Sequence, residues 1–198
     1  MRKLWLLPAI VLAVGLNAPR VFAYSYAEAV DPMVKVFQSA VIAARKGKWE
    51  EVSRLADKGI AMQKGHIFEA DGLAPRFNKT IKDRDISGTA ELFANLVYIT
   101  IREKLHENSK ENFSNYKNAK ARLKLARKSY IDVLDGNVKK RDKSRSSKIL
   151  EQFNTALASI GNPGLFGLGK KEPDREGYNR AVEKIESLVT LSFPGFAE

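Results

Sequence analysis

The sequence predicts an all-α protein: a single antiparallel bundle of five to six helices behind a cleaved export signal. Three observations carry that reading. Apolar residues recur at three- and four-residue spacing along most of the chain after residue 31. Glycine, proline and Asp-Gly-Asn breakers fall at the ends of those runs. No segment makes a convincing strand.

The chain begins with Arg2 and Lys3, then thirteen uncharged residues from Leu4 to Leu16, then a short polar stretch ending Val21-Phe22-Ala23. That order is the pattern of a secretory signal, with cleavage expected before Tyr24. The apolar run is shorter than the roughly 20 residues a spanning helix needs. The expected division is therefore a signal peptide over 1–23 and one helical domain over 24–198. The expected location is outside the cytoplasm: periplasmic in a bacterium, otherwise secreted, with no transmembrane segment in the mature chain.

Asp31-Pro32 opens the first helix, since aspartate caps free amides and proline fits the first helical position. Met33, Val36, Phe37, Ala40, Val41 and Ala44 follow at helical spacing until Gly47. A second helix restarts at Trp49 and runs to about Met62, so the two fold back as a hairpin. The junction Gly47-Lys48-Trp49-Glu50-Glu51-Val52 resembles the turn of a tetratricopeptide repeat, over about twenty residues and once. An array needs several copies at a period near 34, and no second copy follows, so an ordinary helical hairpin is expected.

Residues 63–86 carry Gly65, Gly72, Pro75 and several charges, and predict a long loop with one helical turn. Thr89 to about Glu107 is apolar on nearly all sides and predicts the central, most buried helix. A long amphipathic helix is expected from Phe113 to Leu134, ended by Asp135-Gly136-Asn137. Ser144 to Ile160 follows, closed by Gly161-Asn162-Pro163. Asp174 caps a last helix through Leu191.

With 44% hydrophobic residues the chain can bury a core. It has no cysteine, so an exported fold must rely on packing without disulfides. The net charge is +11, and +8 without residues 1–23, which favours an anionic partner.

Several motifs come close to known chemistries. Gly164-Leu165-Phe166-Gly167-Leu168-Gly169-Lys170-Lys171 has the G-x-x-x-x-G-K spacing of a phosphate-binding loop. Lys171 stands where that loop needs a hydroxyl, and a helix precedes it instead of a strand. Its expected role is structural, with Leu165, Phe166 and Leu168 docking back onto the helices. The only two histidines each sit three residues from a glutamate, His66-x-x-Glu69 and Glu103-x-x-His106. On a helix that spacing shares one face, and Glu-x-x-His is the ligand spacing of helical di-iron proteins. His66, Glu69, Glu103 and His106 are therefore the candidate ligands of an alternative reading, a helical bundle binding iron, zinc or copper. Gly65-His66-Ile67-Phe68-Glu69 is similar to the G-x-H-x-x-E motif of imelysin-like exported helical proteins, with its glycine one position out of place; nothing is carried over from it. No nucleophile, histidine and acid set can be assembled, and enzymatic activity has no positive signal.

The leading expectation rests on the long helix. Lys117, Lys120, Lys124, Arg127 and Lys128 fall within roughly 100° of arc at about 100° per residue. Tyr116, Ala119, Leu123, Ala126, Tyr130 and Val133 form a separate apolar arc toward the core. Lys139, Lys140 and Arg141 extend the cations beyond the turn. The expected function is a non-enzymatic binding or accessory protein, without a cofactor, docking an acidic protein or anionic envelope surface through this strip. Nucleic acid is disfavoured, because no base-stacking aromatics interleave the cations.

Overall fold

The computed structural model describes residues 30–164 and 168–196. The expected signal over 1–23 lies outside the described residues. The chain is all-helical, with no β-strand among the described residues.

Asp31 Oδ1 accepts from the Met33 amide at 2.8 Å and starts α1, Pro32–Arg45. The helix ends in paired backbone bonds, Lys48 N to Ala43 O and Gly47 N to Ala44 O, both 3.0 Å. This closure needs the left-handed Gly47, at φ +70°, as the breaker pattern predicts. α2, Trp49–Ala61, then lies back along α1. A Cβ added at its buried Gly59 would sit 2.7 Å from Leu96 Cδ1, so glycine sets how closely α2 approaches α4.

The region expected to be a long loop holds a full helix. After a short turn at Asp71–Leu73 comes α3, Ala74–Lys82, opened by Pro75 in its first turn. Its Phe77 is buried edge-on to Phe93, with ring centroids 4.8 Å apart. Burying one such side chain contributes about 1.5–3 kcal/mol. Phe77 is the only fully buried side chain of this helix, joined by half-buried Ile81, so two apolar contacts in nine residues were too short a pattern to read.

α4, Ile86–Lys110, is capped by Asp85, which accepts from Gly88 N at 2.9 Å. It is the central element, packed against α1, α2, α3, α5 and α8. Asn112 and Phe113 take left-handed backbone angles in the turn to α5, Tyr116–Ser129, which Asn115 caps.

The long helix corrects two expectations. It starts at Tyr116 rather than Phe113, and it does not end at Asp135-Gly136-Asn137. A π-helical turn, Tyr130–Asp135, carries the rod onward into α6, Gly136–Arg141. Gly136 stays right-handed there, and the Asp135 carboxylate is buried on the Ser146 hydroxyl at 2.6 Å. The acid that reads as a helix stop is therefore an interior tie to the next helix. Asp142 caps that helix, α7, Lys143–Ser159, and Asp174 caps α8, Arg175–Ser192, which runs along α7. The expected five to six helices become eight α-helical segments among the described residues. α3 and the division of the long rod account for the difference. No helix among these residues is long and apolar enough to cross a membrane.

Candidate functional site

α4 carries Glu103 and His106 one turn apart, as their spacing predicts, but the two side chains serve different elements. Glu103, only 6% exposed, turns toward the connection between α2 and α3. Its Oε1 accepts from Ile67 N and its Oε2 from Phe68 N, both at 3.3 Å, and His66 Nδ1 lies 3.5 Å from Oε1. A loop has no ladder to satisfy its amides, so this carboxylate supplies the acceptors that strap residues 66–68 onto α4. Glu69 turns back to the Gly65 amide at 3.4 Å.

His106 faces α8 instead. Its Nε2 lies 2.8 Å from Glu186 Oε1, and Arg102 Nε lies 3.1 Å from the same oxygen. Phe68 fills the space beside them, with the Arg102 guanidinium 3.9 Å above its centroid and the His106 ring edge-on at 5.0 Å. Burial pushes the Glu186 carboxyl up, but the His106 hydrogen bond and the Arg102 charge outweigh it and hold the group below its ordinary value.

The four candidate ligands are thus split. His66 and Glu103 meet; Glu69 and His106 are engaged elsewhere. A cavity of about 470 Å³ beside the strap is lined by His66, Glu103, Glu107, Lys110 and Glu111. Glu107 and Glu111 there face Arg122 of α5, Glu107 at 3.7 Å. Among the described residues no three His, Cys, Asp or Glu side chains are grouped so as to hold a metal ion.

Sequence reasoning missed the polar groups that organise this face. Asn108, fully buried, donates to Ala119 O at 2.9 Å and to the Tyr178 hydroxyl at 3.2 Å, and accepts from Arg122 Nη1 at 3.3 Å. Tyr178 in turn donates to Leu105 O at 3.0 Å. Lys104 Nζ reaches Asp31 Oδ2 at 2.7 Å and ties the start of α1 to α4. The signal was present: Asn108 continues the Ile101–Leu105 stripe, and Glu186 shares a face with Val182 and Val189. A polar residue on an apolar stripe marks a buried hydrogen bond.

The basic strip divides as well. Lys120 donates to the Tyr116 hydroxyl at 3.1 Å, and Lys128 pairs with Asp132 one turn on. Arg127 is half-buried, with Nε shielded from solvent and lacking an acceptor. Arg141 donates to Ser192 O and lies over the Phe193 ring at 5.4 Å, closing the end of α8. Lys117, Lys124, Lys139 and Lys140 are exposed, and none has an ion pair or side-chain hydrogen bond among the described residues. The expected core arc holds: Ala119, Leu123, Ala126, Tyr130 and Val133 are buried and Tyr116 is half-buried.

The glycine-rich loop does not dock as expected at Leu168, which is 80% exposed. Two backbone bonds of 2.8 Å between Asn162 and Lys171 close its base. Gly161, at φ +85°, is required there because a Cβ would meet Lys171 O at 2.6 Å. Pinned at both ends, the loop holds Leu168 away from the core; Leu165 and Phe166 lie outside the described residues. No protein-family model, curated protein or solved structure matches this chain.

Proposed function

We propose that this chain is an exported, non-enzymatic binding protein, periplasmic in a bacterial host, whose helical bundle presents its basic α5–α6 face to an acidic protein or anionic envelope surface. The observation that carries this reading is the set of exposed lysines Lys117, Lys124, Lys139 and Lys140, which have no partner among the described residues. Lys120, Lys124 and Lys128 follow one another at four-residue spacing, where each like-charged pair costs an isolated helix about 0.2–0.5 kcal/mol. An acid at position 120 or 124 would remove that cost. A strip of cations that works against its own helix is suited to compensating charge on a partner.

Lys120, Arg127, Lys128 and Arg141 border the strip and add to its positive field, and Arg141 also ties α6 to the end of α8. The working contacts are assigned to the four free lysines, whose flexible ammonium groups suit an acidic surface without fixed geometry.

The test is titration of the full chain against polyglutamate and, separately, vesicles containing phosphatidylglycerol. Binding is expected to weaken steeply as salt rises past about 0.15 M, where the screening length is about 8 Å. Replacing Lys117, Lys124, Lys139 and Lys140 by glutamine is expected to abolish it. Binding that ignores both salt and these substitutions would refute the proposal. Export has its own check: the purified native protein is expected to begin at Tyr24.

A further inference from the structure

A second cationic surface lies well away from the strip in sequence, where the α1–α2 turn, the first turns of α2 and the α3–α4 turn meet. It is a concavity of about 540 Å³ lined by Lys48, Trp49, Glu50, Glu51, Arg54 and Arg84, with Gly47 at its edge. Neither arginine forms an ion pair among the described residues, although Asp57 stands three residues after Arg54. Asp83 beside Arg84 is taken by Lys79 Nζ at 2.6 Å, and Asp85 on its other side caps α4 through Gly88 N at 2.9 Å. Glu50 stands four residues before Arg54, the favourable spacing for an ion pair, yet the two form none. Lys48 and Glu51 satisfy one another at 3.7 Å. What remains at the concavity is two guanidinium groups, one carboxylate, and the half-buried indole of Trp49.

We propose that this concavity binds a small, flat organic oxyanion, a phosphate or a carboxylate, with Arg54 and Arg84 holding the anionic group and Trp49 contacting the flat body. Guanidinium is the side chain best shaped for such groups, because its planar donors meet two oxygens at once. An aromatic wall beside convergent polar groups is the usual composition of a small-molecule site. The two arginines come from elements distant in sequence, α2 and the α3–α4 turn, so their place in one concavity is a property of the fold. Glu50 at the rim opposes the anion and limits affinity.

Trp5 and Trp49 are the only tryptophans, so the full chain carrying Trp5→Phe reports on Trp49 alone. Titration with phenyl phosphate, benzoate and inorganic phosphate, read by tryptophan emission, tests the site. A saturable change is expected with phenyl phosphate or benzoate, and whichever binds more tightly identifies the anionic group. Arg54→Gln and Arg84→Gln are each expected to weaken binding about tenfold or more, while Glu50→Gln tightens it. The quadruple glutamine variant of the α5–α6 lysines is expected to leave this titration unchanged, which separates this site from the strip. Glu50, Arg54, Arg84 and the four lysines are exposed, and an unchanged thermal melt confirms that the variants fold. The absence of a saturable change with any probe overturns the proposal, as does a doubly substituted Arg54→Gln/Arg84→Gln protein that binds like its parent. Inorganic phosphate binding as tightly as phenyl phosphate overturns the assignment of Trp49.

Discussion

The final turns of α4 and the outer face of α5–α6 treat charge in opposite ways. From Arg102 to Ser109 every polar side chain of α4 has a partner on another element: Arg102 and His106 on α8, Glu103 on the 66–68 strap, Lys104 at the start of α1. Glu107 faces Arg122 of α5, Asn108 reaches α5 and α8, and Ser109 donates to Asn179 at 2.8 Å. On the α5–α6 face, Lys117, Lys124, Lys139 and Lys140 have none among the described residues. Partnered groups in the interior hold the helices in place, because a buried donor or acceptor without its mate costs about 1–3 kcal/mol. Free cations on the surface leave the architecture unaffected, so their role lies in what they meet. Substitutions should therefore separate the two regions, with stability lost in the first and binding in the second.

The largest effect is expected at Asp31, which combines a helix cap with a buried ion pair. Asp31→Ala removes the Met33 amide acceptor, worth about 1 kcal/mol, and leaves Lys104 without its carboxylate in the interior. The expected loss is about 3 kcal/mol by denaturant titration, or roughly 6–12 °C in melting temperature. Asn108→Ala comes next, at about 2 kcal/mol, because Ala119 O and the Arg122 guanidinium each lose a hydrogen bond. Binding through the basic face is expected to survive both. If either protein unfolds no more easily than its parent, the α4 network is not what holds the helices together.

Much of this division was legible in the sequence where a signal is local, and little where it is not. Asp31-Pro32, Gly47, Asp174 and Gly161 announced helix ends because caps and left-handed turns act within a few residues. The cationic arc and the apolar arc of α5 also follow from spacing alone. α3 was missed because its apolar contacts are few, Phe77 against Phe93 across the chain and half-buried Ile81. The stop expected at Asp135 failed because Ser146, eleven residues on, donates to its carboxylate and a π turn carries the rod onward. The histidine–glutamate pairs had the right spacing. Which neighbour each one turns to was decided by groups far along the chain, Glu186 for His106 and the amides of the 66–68 strap for Glu103.

Glu186 makes the pairing testable through pH. Its carboxyl titrates lower in the folded chain than in the unfolded one, so the unfolded state binds the proton more tightly. The stabilisation is complete above the ordinary glutamate value of about 4.3 and disappears as pH falls through the folded value. Glu186→Gln is expected to cost about 1 kcal/mol at neutral pH, where His106 and Arg102 lose their shared anion. It is also expected to flatten the decline in stability below about pH 4. An equally steep acid decline in the variant would assign that loss to other carboxylates.

The smallest stability effect is expected on the basic face, and its size is what makes it informative. Each of Lys117, Lys124, Lys139 and Lys140 is exposed, and surface substitutions away from caps and networks change stability by less than about 0.5 kcal/mol. Lys124 further opposes Lys120, Arg127 and Lys128, each three or four residues away, so Lys124→Gln relieves three like-charge contacts and is expected to raise stability by a few tenths of a kcal/mol. Glutamine's helix propensity is close to that of lysine, which leaves charge as the variable. A gain that shrinks as salt screens the repulsion would establish that α5 is more stable without the charge it carries. A loss of about 1 kcal/mol or more would mean that Lys124 has a partner within the fold. The strip would then belong with α4, as architecture.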